Sequence, residues 1–226
     1  WKPVRIIKQF ENSNSLDSFN KPMGIHVTES GDIFVADSEN SRIVHLNHNG
    51  KYIAEIGRPE LETSDILPKK YEYRPLKVVV GKDKRIYVIA KNIYHGIMVF
   101  DNSGKFDGFI GAPRVTPNMV DFFWKTISTE AQRERMNLFL PTEYSSIDLD
   151  DRGFIYATIA SSNQEIKVKR LNPSGEDILR RMGFIDPVGD LRPSPGSSTS
   201  ISGDSVFIDI ASEEFGIYNV LDSTRG

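Results

Sequence analysis

The side chains able to do chemistry in this sequence are 31 Asp and Glu, four His and many Ser, with no Cys at all. The absence of cysteine excludes a disulfide framework, a thiolate zinc site, an iron–sulfur cluster and a Cys nucleophile. Carboxylates with Asn would suit a hard divalent cation such as calcium or magnesium. The carboxylates Asp32, Asp148, Asp150 and Asp151 lie in or beside turn-rich stretches. There Asp is favoured because its side chain accepts bonds from local backbone N–H groups. A turn role is expected for each, so no metal ligand and no cofactor are assigned. His26 and His45 sit inside strand-like runs, His48 in a turn and His95 in a loop; no His-x-His or His-x-x-x-His pair occurs to hold zinc. No Gly-x-Ser-x-Gly elbow and no glycine-rich phosphate loop is present, so no catalytic residue is assigned.

These side chains must be carried by a folded scaffold, and the composition supplies one. Of 226 residues, 38% are hydrophobic and 10% aromatic, enough to bury a core. The formal net charge of −3 gives no basic stripe for nucleic acid. The apolar run Leu76–Val80 falls far short of the roughly 20 residues of a membrane-spanning helix, so no span is expected. The chain begins at Trp1, which is compatible with a removed leader.

The elements repeat. Lys21-Pro-Met-Gly-Ile-His-Val, Gly31-Asp-Ile-Phe-Val-Ala-Asp, Ser41-Arg-Ile-Val-His-Leu and Asn49-Gly-Lys-Tyr-Ile-Ala-Glu-Ile-Gly form one copy. Arg74-Pro-Leu-Lys-Val-Val-Val, Lys84-Arg-Ile-Tyr-Val-Ile-Ala, Gly96-Ile-Met-Val-Phe-Asp and Ser103-Gly-Lys-Phe-Asp-Gly-Phe-Ile-Gly answer it. Pro22 precedes Gly50 by 28 residues and Pro75 precedes Gly104 by 29, a register that chance explains poorly. A looser copy spans 141–183 and a partial one 205–226. Each copy holds short β-branched or aromatic runs between tight-turn signals, which predicts four-stranded antiparallel blades stacked around an axis. The fold class is therefore all-β, a single β-propeller segment over 1–226, with blades at about 21–57, 74–111, 141–183 and 205–226.

Pro22-Met-Gly-Ile, Gly31-Asp-Ile-Phe-Val-Ala-Asp-Ser-Glu-Asn-Ser-Arg-Ile-Val and Asn49-Gly resemble the NHL repeat of six-bladed β-propellers. The repeat order and the insertion after Gly111 are more narrowly similar to secreted, gluconolactonase-like NHL proteins of Gram-positive bacteria. The resemblance implies that Asp37, Asn40 and Arg42 support the turn between second and third strands. It also implies a location outside the cell or at its surface. By analogy with Tyr52-Ile-Ala-Glu-Ile, Val4–Phe10 reads as an outermost strand lacking its inner three. With about four blades in view, the sequence reads as a fragment whose missing blades come from a longer chain, or as one half of a homo-dimer.

Two insertions interrupt the repeat, 58–74 and 112–140. The second has Met119, Phe123 and Ile127 at helical spacing with Val120 and Trp124 beside them, and predicts a helical insertion at about 117–140. Blade-to-blade connections and the loops between second and third strands emerge on one side of a propeller. That loop-rich side is the expected binding face, with Tyr94, His95 and Trp124 as candidates. The expected function is non-enzymatic, a binding or scaffolding module for a protein, peptide or carbohydrate. The alternative is a lactonase-like hydrolase holding one divalent cation, calcium, in the channel.

Overall fold

A computed structural model of the chain describes residues 6–12, 15–59, 71–91, 93, 95–111, 143–159, 168–179, 207–213 and 218–222. The strands are β1 (Gln9–Asn12), β2 (Ser15–Ser18), β3 (Pro22–Val27), β4 (Ile33–Asp37), β5 (Arg42–Leu46), β6 (Tyr52–Ile56), β7 (Pro75–Val80), β8 (Ile86–Ala90), β9 (Ile97–Phe100) and β10 (Phe106–Ile110). They continue as β11 (Tyr144–Leu149), β12 (Ile155–Ile159), β13 (Val168–Leu171), β14 (Phe207–Ser212) and β15 (Tyr218–Asp222). β3–β6 and β7–β10 form four-stranded antiparallel meanders, β11–β13 a three-stranded one and β14–β15 a pair. The architecture is an incomplete β-propeller of sequential blades. The helical insertion expected at 117–140 lies outside the described residues, among which the helical content is one 3-10 turn, Ser38–Asn40. Among the described residues no helix is long and apolar enough to cross a membrane.

The same local chemistry builds each blade. In the turn after β9, Asp101 accepts bonds from the backbone N–H groups of Ser103 at 2.8 Å and Lys105 at 2.9 Å, and Gly104 takes φ 81°. A side chain there would be strained, and its Cβ would fall 2.8 Å from Ile56 of the preceding blade. The turns holding Gly50, Gly153 and Gly175 repeat that φ within two degrees. Each innermost strand also carries a register shift after its first residue, at Pro22/Gly24, Pro75/Lys77, Tyr144/Ser146 and Phe207/Asp209.

Strand alternation then divides the core into interblade layers. Phe34, Ala36, Ile43 and Ile56 of the first blade meet Val78, Ile86, Val88 and Met98 of the second. Tyr87, Ile89, Ile97 and Val99 meet Tyr144, Ile147, Ile155 and Leu171 of the third. Tyr156 and Val168 meet Ile210 of the fourth. The register makes Ile25, Val78, Ile147 and Ile210 equivalent, all turned toward the preceding blade. Val78, Ile147 and Ile210 are 2%, 4% and 5% exposed, whereas Ile25 is 67% exposed. Burying such a side chain stabilises by roughly 1.5–3 kcal/mol, a contribution Ile25 does not make here. It borders a hollow of about 860 Å³ with Met23, Ile7 and Phe19.

The N-terminal region differs from expectation. Part of the expected strand Val4–Phe10 lies outside the described residues; within them residues 6–8 are not strand, and β1 begins at Gln9 and turns back to pair with β2. Ile6 is exposed. Phe10 anchors the hairpin instead, stacked on Tyr52 at 5.6 Å and against Phe19 at 5.1 Å.

Candidate functional site

The end of β4 gathers the motif residues. Asp37, fully buried, accepts bonds from Asn20 N–H at 2.7 Å, Asn40 Nδ2 at 2.9 Å and Arg42 Nε at 2.9 Å. Arg42 continues outward to Asp17 at 2.7 Å and Glu55 at 3.0 Å, with its guanidinium over Phe10. It thereby ties β2, β4 and β6 together. Its bond to Asp17 raises the Arg42 pKa, with burial opposing and Asp37 adding to the rise. The hydrogen bond from Arg42 likewise holds the Asp17 carboxyl below its ordinary value. The 3-10 turn places Glu39 between Lys21 at 3.5 Å and Arg74 at 3.1 Å, so the turn reaches the entry to the second blade.

This end of the sheets also launches the long connections. The segment after β6 leaves and returns there, and Arg58 lies over the Tyr71 ring at 4.7 Å, close to both ends of the connection. His95, exposed between β8 and β9, contacts Phe109 at 5.6 Å. Tyr94 and Trp124 lie outside the described residues.

A polar group missed in the sequence lines the innermost strands near the same face. The residue just past each register shift is Gly24, Lys77, Ser146 or Asp209, in β3, β7, β11 and β14. Lys77 Nζ stands 3.1 Å from Asp209 Oδ1, and the buried Ser146 hydroxyl donates to that same oxygen at 2.5 Å. Burial opposes ionisation of Asp209, but the bonds from Ser146 and Lys77 outweigh it and lower its pKa. With side chains 31% and 50% exposed, the Lys77–Asp209 pair adds only about 0–1 kcal/mol of stability. The signal was available once the copies were aligned on the shift, because this position is small or polar in all four while the next is Ile or Val.

The opposite face carries a groove of about 720 Å³ lined by His26, Phe34, His45, Ile56, Lys82 and Asp151 among others. His45 stacks on Phe34 with ring centres 4.1 Å apart, and its Nε2 lies 3.9 Å from Asp32. Burial lowers the pKa of both His26 and His45. Lys82 spans Glu29 and Asp151 at 3.0 and 3.3 Å.

Among the expected turn carboxylates, Asp150 accepts from the backbone N–H groups of Arg152 and Phe154, both at 2.9 Å. Asp32 closes its turn through Ser30 and Thr28. Asp148 departs from the turn role: within β11 it accepts from Ser212 N–H at 2.6 Å and Ser212 Oγ at 2.8 Å, joining the third blade to the fourth. Among the described residues no three His, Asp or Glu side chains converge as a metal cage.

The family match and the first structural neighbour agree with this architecture. Residues 19–46 match the NHL repeat family. No curated protein matches the sequence. Among solved structures, virginiamycin B lyase of Staphylococcus aureus, in a catalytically inactive form with quinupristin, superposes with a TM-score of 0.50 at 13% identity. The match covers 89% of this chain and 48% of the lyase, so the chain spans about half of that neighbour's length. A Bacteroides fragilis protein described as exported gives a TM-score of 0.47 at 13% identity, over 89% of this chain and 48% of that one. The extracellular domain of a B. thetaiotaomicron hybrid two-component system gives 0.46 at 10% identity, over 95% and 23%.

Proposed function

We propose that this NHL-repeat propeller is a non-enzymatic binding or scaffolding module that takes a protein, peptide or carbohydrate on its loop-rich face. The observation that carries the reading is the coincidence, at one end of rigid sheets, of the long interblade connection, the Glu39–Arg74 bridge and the Lys77–Ser146–Asp209 group. Loops on a rigid scaffold are where binding residues concentrate. Action outside the cell or at its surface is part of the proposal and rests on the resemblance to secreted NHL proteins.

Screening peptides, neutral saccharides and candidate proteins against the wild type and against two variant sets tests it. Arg74→Ala with Lys21→Ala reports on the loop-rich face, Lys82→Ala with Asp151→Ala on the other. Binding weakened at least tenfold by the first set alone supports the reading; loss through the second alone overturns it. A cation-specific rise in thermal midpoint with calcium, followed by lactone turnover, would replace it with the hydrolase alternative.

A further inference from the structure

The Lys77–Ser146–Asp209 group is built as a site rather than as a surface accident. Its residues come from the innermost strands of three successive blades, so rigid sheet fixes their spacing. Blade one contributes backbone only, because a Cβ on Gly24 would fall 2.6 Å from the Leu76 carbonyl oxygen. One position further along each strand, the side chains are Ile25, Val78, Ile147 and Ile210. The level of Gly24, Lys77, Ser146 and Asp209 is thus small or polar in all four inner strands and lies in the half nearest the loop-rich face.

The hydrogen bonds within the group are lopsided. Lys77 Nζ, Ser146 Oγ and the Ile210 N–H all address Asp209 Oδ1. No hydrogen bond between described residues reaches Oδ2. An ammonium carries three hydrogens, and only one is engaged by Asp209. A fixed carboxylate therefore presents an acceptor oxygen beside an ammonium with donors to spare, and the two charges cancel. An anion would meet the repulsion of Asp209 and a cation that of Lys77, whereas a neutral group with a donor and an acceptor side by side satisfies both. Adjacent hydroxyls of a sugar have that arrangement, one donating to Oδ2 and its neighbour accepting from Nζ.

We propose that Lys77, Asp209 and Ser146 form a binding site for a vicinal diol of a neutral carbohydrate, with Ser146 positioning the carboxylate. This rests on the loop-rich-face reading and names its ligand class. The test is titration of the 226-residue protein with a panel of neutral mono- and disaccharides, followed by NMR and calorimetry, with circular dichroism confirming the fold. The variants are Asp209→Asn, Lys77→Met, Arg74→Ala as a probe of the same face outside the site, and Lys82→Ala as a control on the opposite face. A saccharide whose affinity falls at least tenfold in both Asp209→Asn and Lys77→Met, and less than threefold in Lys82→Ala, supports the site. Should Asp209→Asn fail to fold, Lys77→Met alone decides. Saccharide binding that responds to Arg74→Ala but to neither site variant overturns this proposal and leaves the loop-rich-face reading standing. Binding of peptides instead of saccharides, with the same variant sensitivity, overturns the carbohydrate assignment. No saccharide binding at millimolar concentration overturns the site.

Discussion

Replacing Asp37 by Ala removes three hydrogen bonds from a carboxylate without solvent contact. Two of the donors lose a fixed partner outright: the Asn20 N–H and one hydrogen of the Asn40 amide, which keeps Ser18 O at 3.2 Å. Stranding a buried donor costs about 1–3 kcal/mol, and these part-buried donors of exposed Asn20 and Asn40 fall at the low end of that range. Breaking a buried ion pair from one side costs about 3–5 kcal/mol, but Arg42 keeps Asp17 and Glu55, so its share is well below that range. We expect a net loss of about 3 kcal/mol, or a fall in thermal midpoint of about 6–12 °C for a chain of this size. Urea and thermal unfolding followed by circular dichroism measure it. Asp37→Asn, which keeps the shape and one acceptor, should lose roughly half as much. A loss below about 1 kcal/mol would refute the reasoning, as would a binding defect at equal folded fraction with stability unchanged.

Gly24→Ala should destabilise by about 1–3 kcal/mol, because the obstructing atom is backbone of β7 and cannot turn aside; an unchanged urea midpoint would contradict the close approach. Ile147→Ala should cost about 2–5 kcal/mol, while Ile25→Ala at the equivalent position should change the stability of this chain by less than about 0.5 kcal/mol. Equal losses would mean that Ile25 is covered in solution. Burial depresses the His26 and His45 pKa values below the ordinary 6.5, so the unfolded chain takes up protons more readily. Their contribution is complete above pH 6.5 and declines as pH falls through the lower folded values. The thermal midpoint between pH 8 and 5 should therefore fall less steeply in His26→Gln/His45→Gln than in the wild type, and parallel curves would disprove the linkage.

The blades were legible because each turn declares itself locally: Asn49-Gly50 and Ser103-Gly104 supply the positive φ that a tight turn needs, between runs such as Ile33–Ala36 that only a buried strand tolerates. β2 was not legible, since Ser15-Leu-Asp-Ser shows no apolar alternation and its Leu16 is 67% exposed. Its reason to pair lies elsewhere in the chain, in Arg42 reaching Asp17 and the Ser18 carbonyl. The Lys77–Ser146–Asp209 group escaped notice for a related reason. Each residue is unremarkable within its own copy, and the register shift near the start of the strand moves it one place from where simple alternation would put it. Asp148 was read as a turn residue because turn signals follow it closely, but the hydroxyl that claims it is 64 residues away.

The interblade layers have a consequence for how the molecule comes apart. A stack of repeats behaves as a one-dimensional array, in which each unit's resistance to opening is its own stability plus the coupling to its neighbours. The second blade is sandwiched on both faces, by Phe34 and Ile56 on one side and by Tyr144 and Ile147 on the other. The first blade meets the second on one face; on the other the N-terminal hairpin covers Val44 and Leu46, while Met23, Ile25 and Val27 of β3 stand open. Amide hydrogen exchange should therefore be slowest in β8 and β9 and faster in β3, giving a gradient of local opening free energies across one continuous domain beneath its global unfolding.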